Sequence, residues 1–169
     1  FHAMVFTSEG TVFIDPYSKG DETNYISYFK KDFIPPADKY MPEYTADDSK
    51  IAKETPQLTG KIPSGTQLRT YRLALAADSN YYNFQGGTEP LTLAAMVTSM
   101  NRVNFVYERE VSIRMVLIAG NDQLIFPGNT SPYPYASTGA CALRPENQTK
   151  IDAVIGSANY DIGHLFAMS

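Results

Sequence analysis

Tryptophan is absent from this 169-residue chain, and cysteine and histidine nearly so, with one and two copies. A lone Cys141 makes no internal disulfide and no cysteine-rich zinc site. His2 and His164 stand too far apart in sequence for a two-histidine metal motif at i, i+4. Most self-contained metalloenzymes are thereby removed. Basic residues are also scarce, with 14 Lys and Arg against 18 Asp and Glu for a net charge of −4, and no cluster beyond Lys30-Lys31. Nothing offers a footprint for a phosphate backbone, so nucleic acid is not an expected partner. No run of 18 apolar residues occurs, which excludes a spanning helix and leaves no membrane partner to expect. The chain opens at Phe1 with neither an initiator Met nor a signal-peptide pattern, and so reads as a processed or excised piece. The motifs H-E-x-x-H, G-x-S-x-G, G-x-x-x-x-G-K-[ST] and G-x-G-x-x-G are all missing.

What is present falls into three zones. Residues 1–33 carry strand signals in Ala3-Met4-Val5-Phe6-Thr7, Thr11-Val12-Phe13-Ile14 and Tyr25-Ile26-Ser27-Tyr28-Phe29, because β-branched and aromatic residues suit a pleated surface. Ser8-Glu9-Gly10 supplies a short hairpin turn, and Pro16, with no N–H for a ladder, ends the second strand. Residues 34–68 hold five of the eleven prolines and few large aliphatics, too little apolar area to offset the entropy of ordering. This zone reads as a surface linker. Such a segment marks a functional loop, a boundary or a processing region, or is a plain extended connection.

From residue 69 a β-α-β alternation begins. Arg69 to Ala77 starts alternating and ends nearly all apolar, as a strand entering a buried sheet does, and Asp78 with Ser79-Asn80 stops it. A polar and aromatic loop ends at Gly86-Gly87. Thr88 then offers an N-cap, Glu89 suits the positive helix end, and Pro90 fits the first turn. The spacing predicts a helix over 89–110 with Leu93, Met96, Val97, Met100, Val103, Tyr107 and Val111 in one apolar stripe. A second strand follows over 112–119, broken by Gly120-Asn121-Asp122, with a short extension at Leu124-Ile125-Phe126. Strands joined by a crossover helix of this length pair in parallel. Residues 127–145 read as a long loop containing Cys141, residues 146–155 as a second helix stopped by Gly156, and residues 160–167 as a third strand. The fold expected is α/β: a mixed, mainly parallel sheet with two helices, preceded by a small antiparallel β unit. No turn or tail follows the last strand, so the polypeptide is expected to continue.

The chemistry-bearing candidates are few. An anion site at Gly86-Gly87 before the helix is conceivable, but plain turn geometry is the better account. Glu108 and Glu110 flank Arg109 as on a solvated helix face rather than as an acid/base pair. His164 alternates with Ile162 and Phe166, which favours a satisfied core or boundary histidine over a ligand or base. Cys141 is either a free thiol or half of a disulfide whose partner lies past Ser169. The triplets Asn129-Thr130-Ser131 and Asn147-Gln148-Thr149 fit the glycosylation pattern but are short enough to arise by chance. Tyrosines at 40, 44, 81, 82, 133 and 135 anchor a binding surface or, more commonly, pack loops onto a core.

Residues 70–169 resemble the N-terminal part of the catalytic domain of reprolysin-like (adamalysin-like) zinc metallopeptidases of the metzincin clan, in particular secreted bacterial members. The resemblance rests on Tyr71-Arg72-Leu73-Ala74-Leu75-Ala76-Ala77-Asp78 in the first strand, and on Met100-Asn101-Arg102-Val103-Asn104 and Tyr107-Glu108-Arg109-Glu110 in the helix. Ile113-Arg114-Met115-Val116-Leu117-Ile118 and Asn159-Tyr160-Asp161-Ile162-Gly163-His164-Leu165-Phe166 carry it through the later strands. Residues 1–33, with Ile14-Asp15-Pro16-Tyr17 and the run from Tyr25 to Asp32, resemble the end of the preceding propeptide.

The resemblance implies a propeptide-like segment over 1–33, a linker over 34–68 and an incomplete catalytic domain over 69–169. It also implies a secreted zinc endopeptidase acting on protein or peptide substrates. In that family zinc is held by H-E-x-x-H-x-x-G-x-x-H, whose glutamate is the general base. No such motif lies within these residues. The resemblance therefore places zinc in the parent protein and not on this chain, with no catalytic or metal-binding residue here, no activity for the chain alone, and the missing C-terminal half as a further partner. Relatives often bind calcium through a first-strand glutamate and an aspartate before the third strand. Asp161 matches the aspartate, but Arg72 stands at the glutamate position, so no calcium is expected there. Residues 1–68 also lack the propeptide cysteine that keeps many relatives latent. From another class, the alternative is a non-catalytic binding or adhesion module using the aromatic loops at Tyr81-Tyr82 and Tyr133-Pro134-Tyr135.

Overall fold

The computed structural model describes residues 1–34, 67–127 and 140–168, and the chain divides into two compact units, Phe1–Met41 and Pro42–Ser169. In the first, β1 (Ala3–Thr7), β2 (Gly10–Pro16) and β3 (Tyr25–Phe29) form an antiparallel sheet in that order. The β1–β2 register pairs Thr7 with Gly10 across a two-residue turn. Thr7 ties that turn, its Oγ1 donating to the Gly10 carbonyl at 2.8 Å and accepting from the Glu9 N–H at 3.2 Å. Gly10 takes φ +134°, which side chains resist. Strand alternation sets Met4, Phe13 and Tyr28 in one cross-strand row, with the Phe13 and Tyr28 rings 5.7 Å apart. In the β2–β3 loop Asp21 accepts from the Thr23 and Asn24 N–H groups, and these bonds hold its pKa down at about 2.

The second unit runs β4 (Arg69–Ala77), α1 (Ser79–Phe84), α2 (Glu89–Val111), β5 (Ile113–Leu117), α3 (Ala140–Val154) and β6 (Ile162–Phe166). Its three strands are parallel, in the order β5-β4-β6. The first strand is thus central, which accounts for its apolar run: Leu73 to Ala77 are all buried. Leu73, Leu75 and Ala77 pack with Met96 and Met100 of α2, while Ala74 and Ala76 face Ile151 of α3 together with Leu124, Phe126 and Tyr160. Burying each large side chain of this set contributes about 1.5–3 kcal/mol.

α2 begins as its cap chemistry predicts, with Thr88 Oγ1 accepting from the Leu91 N–H at 3.4 Å and Pro90 in the first turn. It ends at Ser112, which sits in the left-handed region at φ 55° and returns its N–H to the Tyr107 carbonyl. The predicted stripe is buried only in part. Met96 and Met100 lie in the core with Leu93 and Val103 against it, but Val97, Tyr107 and Val111 are exposed.

Three local expectations are corrected. The aromatic stretch after β4 is a short helix: Asp78 Oδ1 accepts from the Tyr81 N–H at 2.7 Å, so the residue taken as a strand stop is an N-cap. α3 starts at Ala140 and carries Pro145 inside it, so Cys141 belongs to a helix and not to a loop. Residues 120–126 do more than break β5. Ile118 N–H donates to the Leu73 carbonyl, and Phe126 N–H donates to the Ala77 carbonyl. Between them the Asn121 side chain takes both backbone groups of Leu75, Oδ1 accepting at 2.9 Å and Nδ2 donating at 3.0 Å. A buried amide thus fills the rung left open by the turn, and the expected extension at Leu124-Ile125-Phe126 continues the ladder through Ile125 beside Ala77.

Candidate functional site

Within each unit, the described residues singled out from the sequence form no catalytic or metal-binding cluster. His2 lies in the first unit, its Nδ1 2.7 Å from Asp15 Oδ1, while the Tyr28 hydroxyl donates to Asp15 Oδ2 at 2.8 Å. His164 lies in the second, on β6. Among the described residues no three His, Cys, Asp or Glu side chains come together to hold a metal. Glu108 pairs with Arg114 at 2.7 Å and Glu110 with Arg109 at 3.4 Å, so each carboxylate has its own guanidinium and the two form no acid/base pair. Gly86 and Gly87 both take positive φ, the turn geometry expected of them. Asn147 is buried on α3, which closes that glycosylation triplet, and Asn129-Thr130-Ser131 lies outside the described residues.

His164 keeps part of the boundary role expected of it. Its ring meets Phe166 edge-on at a centroid distance of 5.7 Å, and burial pushes its pKa below the usual imidazole value. The desolvation comes from ring packing on one side only, since the residue as a whole keeps contact with water on β6. Tyr81 and Tyr82 pack on the α2 side of the core, Tyr81 with its ring centroid 5.2 Å from Phe166, and burial raises the Tyr81 pKa. They do not form a loop surface. Tyr40, Tyr44, Tyr133 and Tyr135 lie outside the described residues.

Two residues singled out through the resemblance meet at the entry to β6. Arg72 and Asp161 form a forked ion pair, Nη2 to Oδ1 at 2.8 Å and Nε to Oδ2 at 3.2 Å. The Arg72 backbone N–H adds a bond to Oδ2 at 2.7 Å, the Asp161 N–H returns one to the Arg72 carbonyl at 2.9 Å, and Nη1 donates to the Ala158 carbonyl at 3.0 Å. These bonds hold the Asp161 pKa below the ordinary carboxylate value and raise that of Arg72. The aspartate oxygens that the resemblance assigns to calcium in relatives are here filled by a guanidinium. The sequence marks Arg72 as a cation opposed to a metal at this place, but shows neither its pairing with Asp161 nor the backbone bonds that fasten β4 to β6.

A groove of about 480 Å³ runs between α2 and β5, lined by Val97, Asn101 and Phe105 on the helix and by Arg114 and Val116 on the strand. It was not foreseen, because helix positions that point past the sheet look like stripe positions in sequence. No helix among the described residues is long and apolar enough to cross a membrane.

Comparison with known proteins bears on residues 67–169, which match the family described as metallo-peptidase family M12B, reprolysin-like. No curated protein and no solved structure matches the chain. The match covers well over half of the sequence and spans the whole β4-to-β6 sheet, so the chain belongs to the M12B reprolysin-like metallopeptidase family.

Proposed function

We propose that these residues form the opening layer of a secreted zinc metalloendopeptidase that hydrolyses peptide bonds of proteins, with residues 1–33 as the end of a propeptide and 34–68 as the maturation linker. The observation that carries the reading is the family match over 67–169 on a sheet whose strand and helix order is the one the resemblance implies.

M12B peptidases generally use zinc. The described residues do not offer its ligand set: each unit carries a single histidine, and no three His, Cys, Asp or Glu side chains come together among the described residues. No catalytic step is assigned to this chain. Its part is to supply the buried central strand β4 and the β6 edge on which the remaining strands and the zinc-bearing helix would be laid. On this reading the C-terminal half of the same protein is the principal partner, and a protein or peptide the substrate.

The test is a casein and peptide cleavage assay of the 169-residue chain beside the full-length parent, with and without a zinc chelator. Chelatable cleavage by the parent and none by the chain is expected. A parent lacking the three-histidine motif, or cleaving regardless of zinc, would overturn the proposal. The adhesion alternative gains no support from Tyr81 and Tyr82, which are packed on the core.

A further inference from the structure

β5 is the outer strand of the parallel sheet on the side away from β6, and among the described residues no strand pairs with its free edge. Parallel pairing alternates inward and outward backbone groups along a strand. The Ser112 carbonyl accepts from the Arg69 N–H, and the Ile118 N–H donates to the Leu73 carbonyl, so the even positions face β4. The odd ones, Met115 at their centre, turn N–H and C=O outward. An edge reading Ile113-Arg114-Met115-Val116-Leu117, with Val116 48% exposed, is a template for another strand.

Both outward groups of Met115 are nonetheless occupied. Asn104, from α2, donates Nδ2 to the Met115 carbonyl at 2.8 Å and accepts the Met115 N–H on Oδ1 at 2.9 Å. That is the paired exchange which a residue on an added antiparallel strand would make. A single side chain has replaced it at the midpoint of the edge, where an incoming strand has to register. We propose that Asn104 closes β5 to strand addition and so keeps a second copy of this chain from pairing edge to edge through its own β5. The same amide chemistry that Asn121 uses to complete the ladder inside the sheet is used by Asn104 to end it outside.

The test compares the full 169-residue chain with Asn104→Leu, which keeps the branched shape and heavy-atom number of the side chain and removes both bonds. Sedimentation over a concentration series should show Asn104→Leu associating at concentrations at least about tenfold lower than wild type, a shift worth ~1.4 kcal/mol. Adding Val116→Lys, a charge on the exposed edge, should return the double variant to wild-type behaviour. A folded Asn104→Leu that sediments like wild type, or whose association ignores Val116→Lys, would overturn the proposal. Should Asn104→Leu fail to fold, the wild-type chain decides by hydrogen exchange. The Met115 N–H is expected to exchange at least about 100-fold more slowly than an exposed loop amide, and exchange at the loop rate would sink the idea.

Discussion

Among the described residues the chain holds two three-stranded sheets that are built in different ways. The parallel sheet has helices α2 and α3 packed on it and sinks five consecutive residues of β4 out of solvent. The antiparallel sheet has the same strand number and a larger share of aromatic and β-branched residues, yet not one of its residues is fully buried. Its order comes from hairpin hydrogen bonds, the Asp21 loop and aromatic rows such as Phe13–Tyr28. Three strands on which no α-helix of their own unit packs, among the described residues, are marginal in water, whereas a covered central strand is cooperative. Strand composition alone therefore does not set burial here; the packed helices do. Two thermal transitions are expected, the antiparallel sheet melting first.

The strongest way to break this comparison is Met100→Asp, which sets a charge where α2 meets β4 and where the side chain is only 7% exposed. A loss of ~4 kcal/mol or more should abolish the upper transition and leave the lower one in place. An upper transition that barely moves in a calorimetric scan would show that α2 does not hold the sheet. Next in size is Asn121→Leu, which leaves the buried N–H and C=O of Leu75 without their partner at a cost of roughly 2–5 kcal/mol. The upper midpoint in urea should fall accordingly. Smaller again is Phe13→Ala, which removes a half-buried ring from the exposed sheet. About 1–2 kcal/mol should disappear from the lower transition alone, and an equal effect on the upper one would mean that the two units do not melt separately.

Much of the parallel unit was legible because its signals are local. Thr88-Glu89-Pro90 marks the start of α2, and the apolar run of β4 announces burial on both faces. The misreadings share a physical cause. Ser79–Phe84 carries too few apolar residues to show helical spacing, and its helix is fixed by a cap that looks like a terminator. Pro145 reads as a stop, yet α3 accommodates it from Ala140 onward. Asn104 and Asn121 look like ordinary polar residues, because what they do depends on backbone 11 and 46 residues away. The candidate site was legible in one respect, that Arg72 sets a cation where relatives place a calcium ligand; that this cation pairs with Asp161 was not.

The gentlest probe acts on that contact, since both side chains keep access to water. Arg72 holds the Asp161 pKa below its ordinary 3.8, so the folded chain binds its proton less readily than the unfolded chain does. The stability this contributes is complete above about pH 4 and is lost as pH falls through the lower folded value. Asp161→Asn should flatten that part of the acid limb of the upper transition while leaving the neutral-pH midpoint only slightly reduced. Because the guanidinium already occupies both carboxylate oxygens, melts with calcium and with chelator should superimpose for wild type. A calcium-dependent rise in the upper midpoint that Asp161→Asn removes would show that the ion displaces Arg72. The fastening of β4 to β6 would then rest on a metal rather than on a side chain.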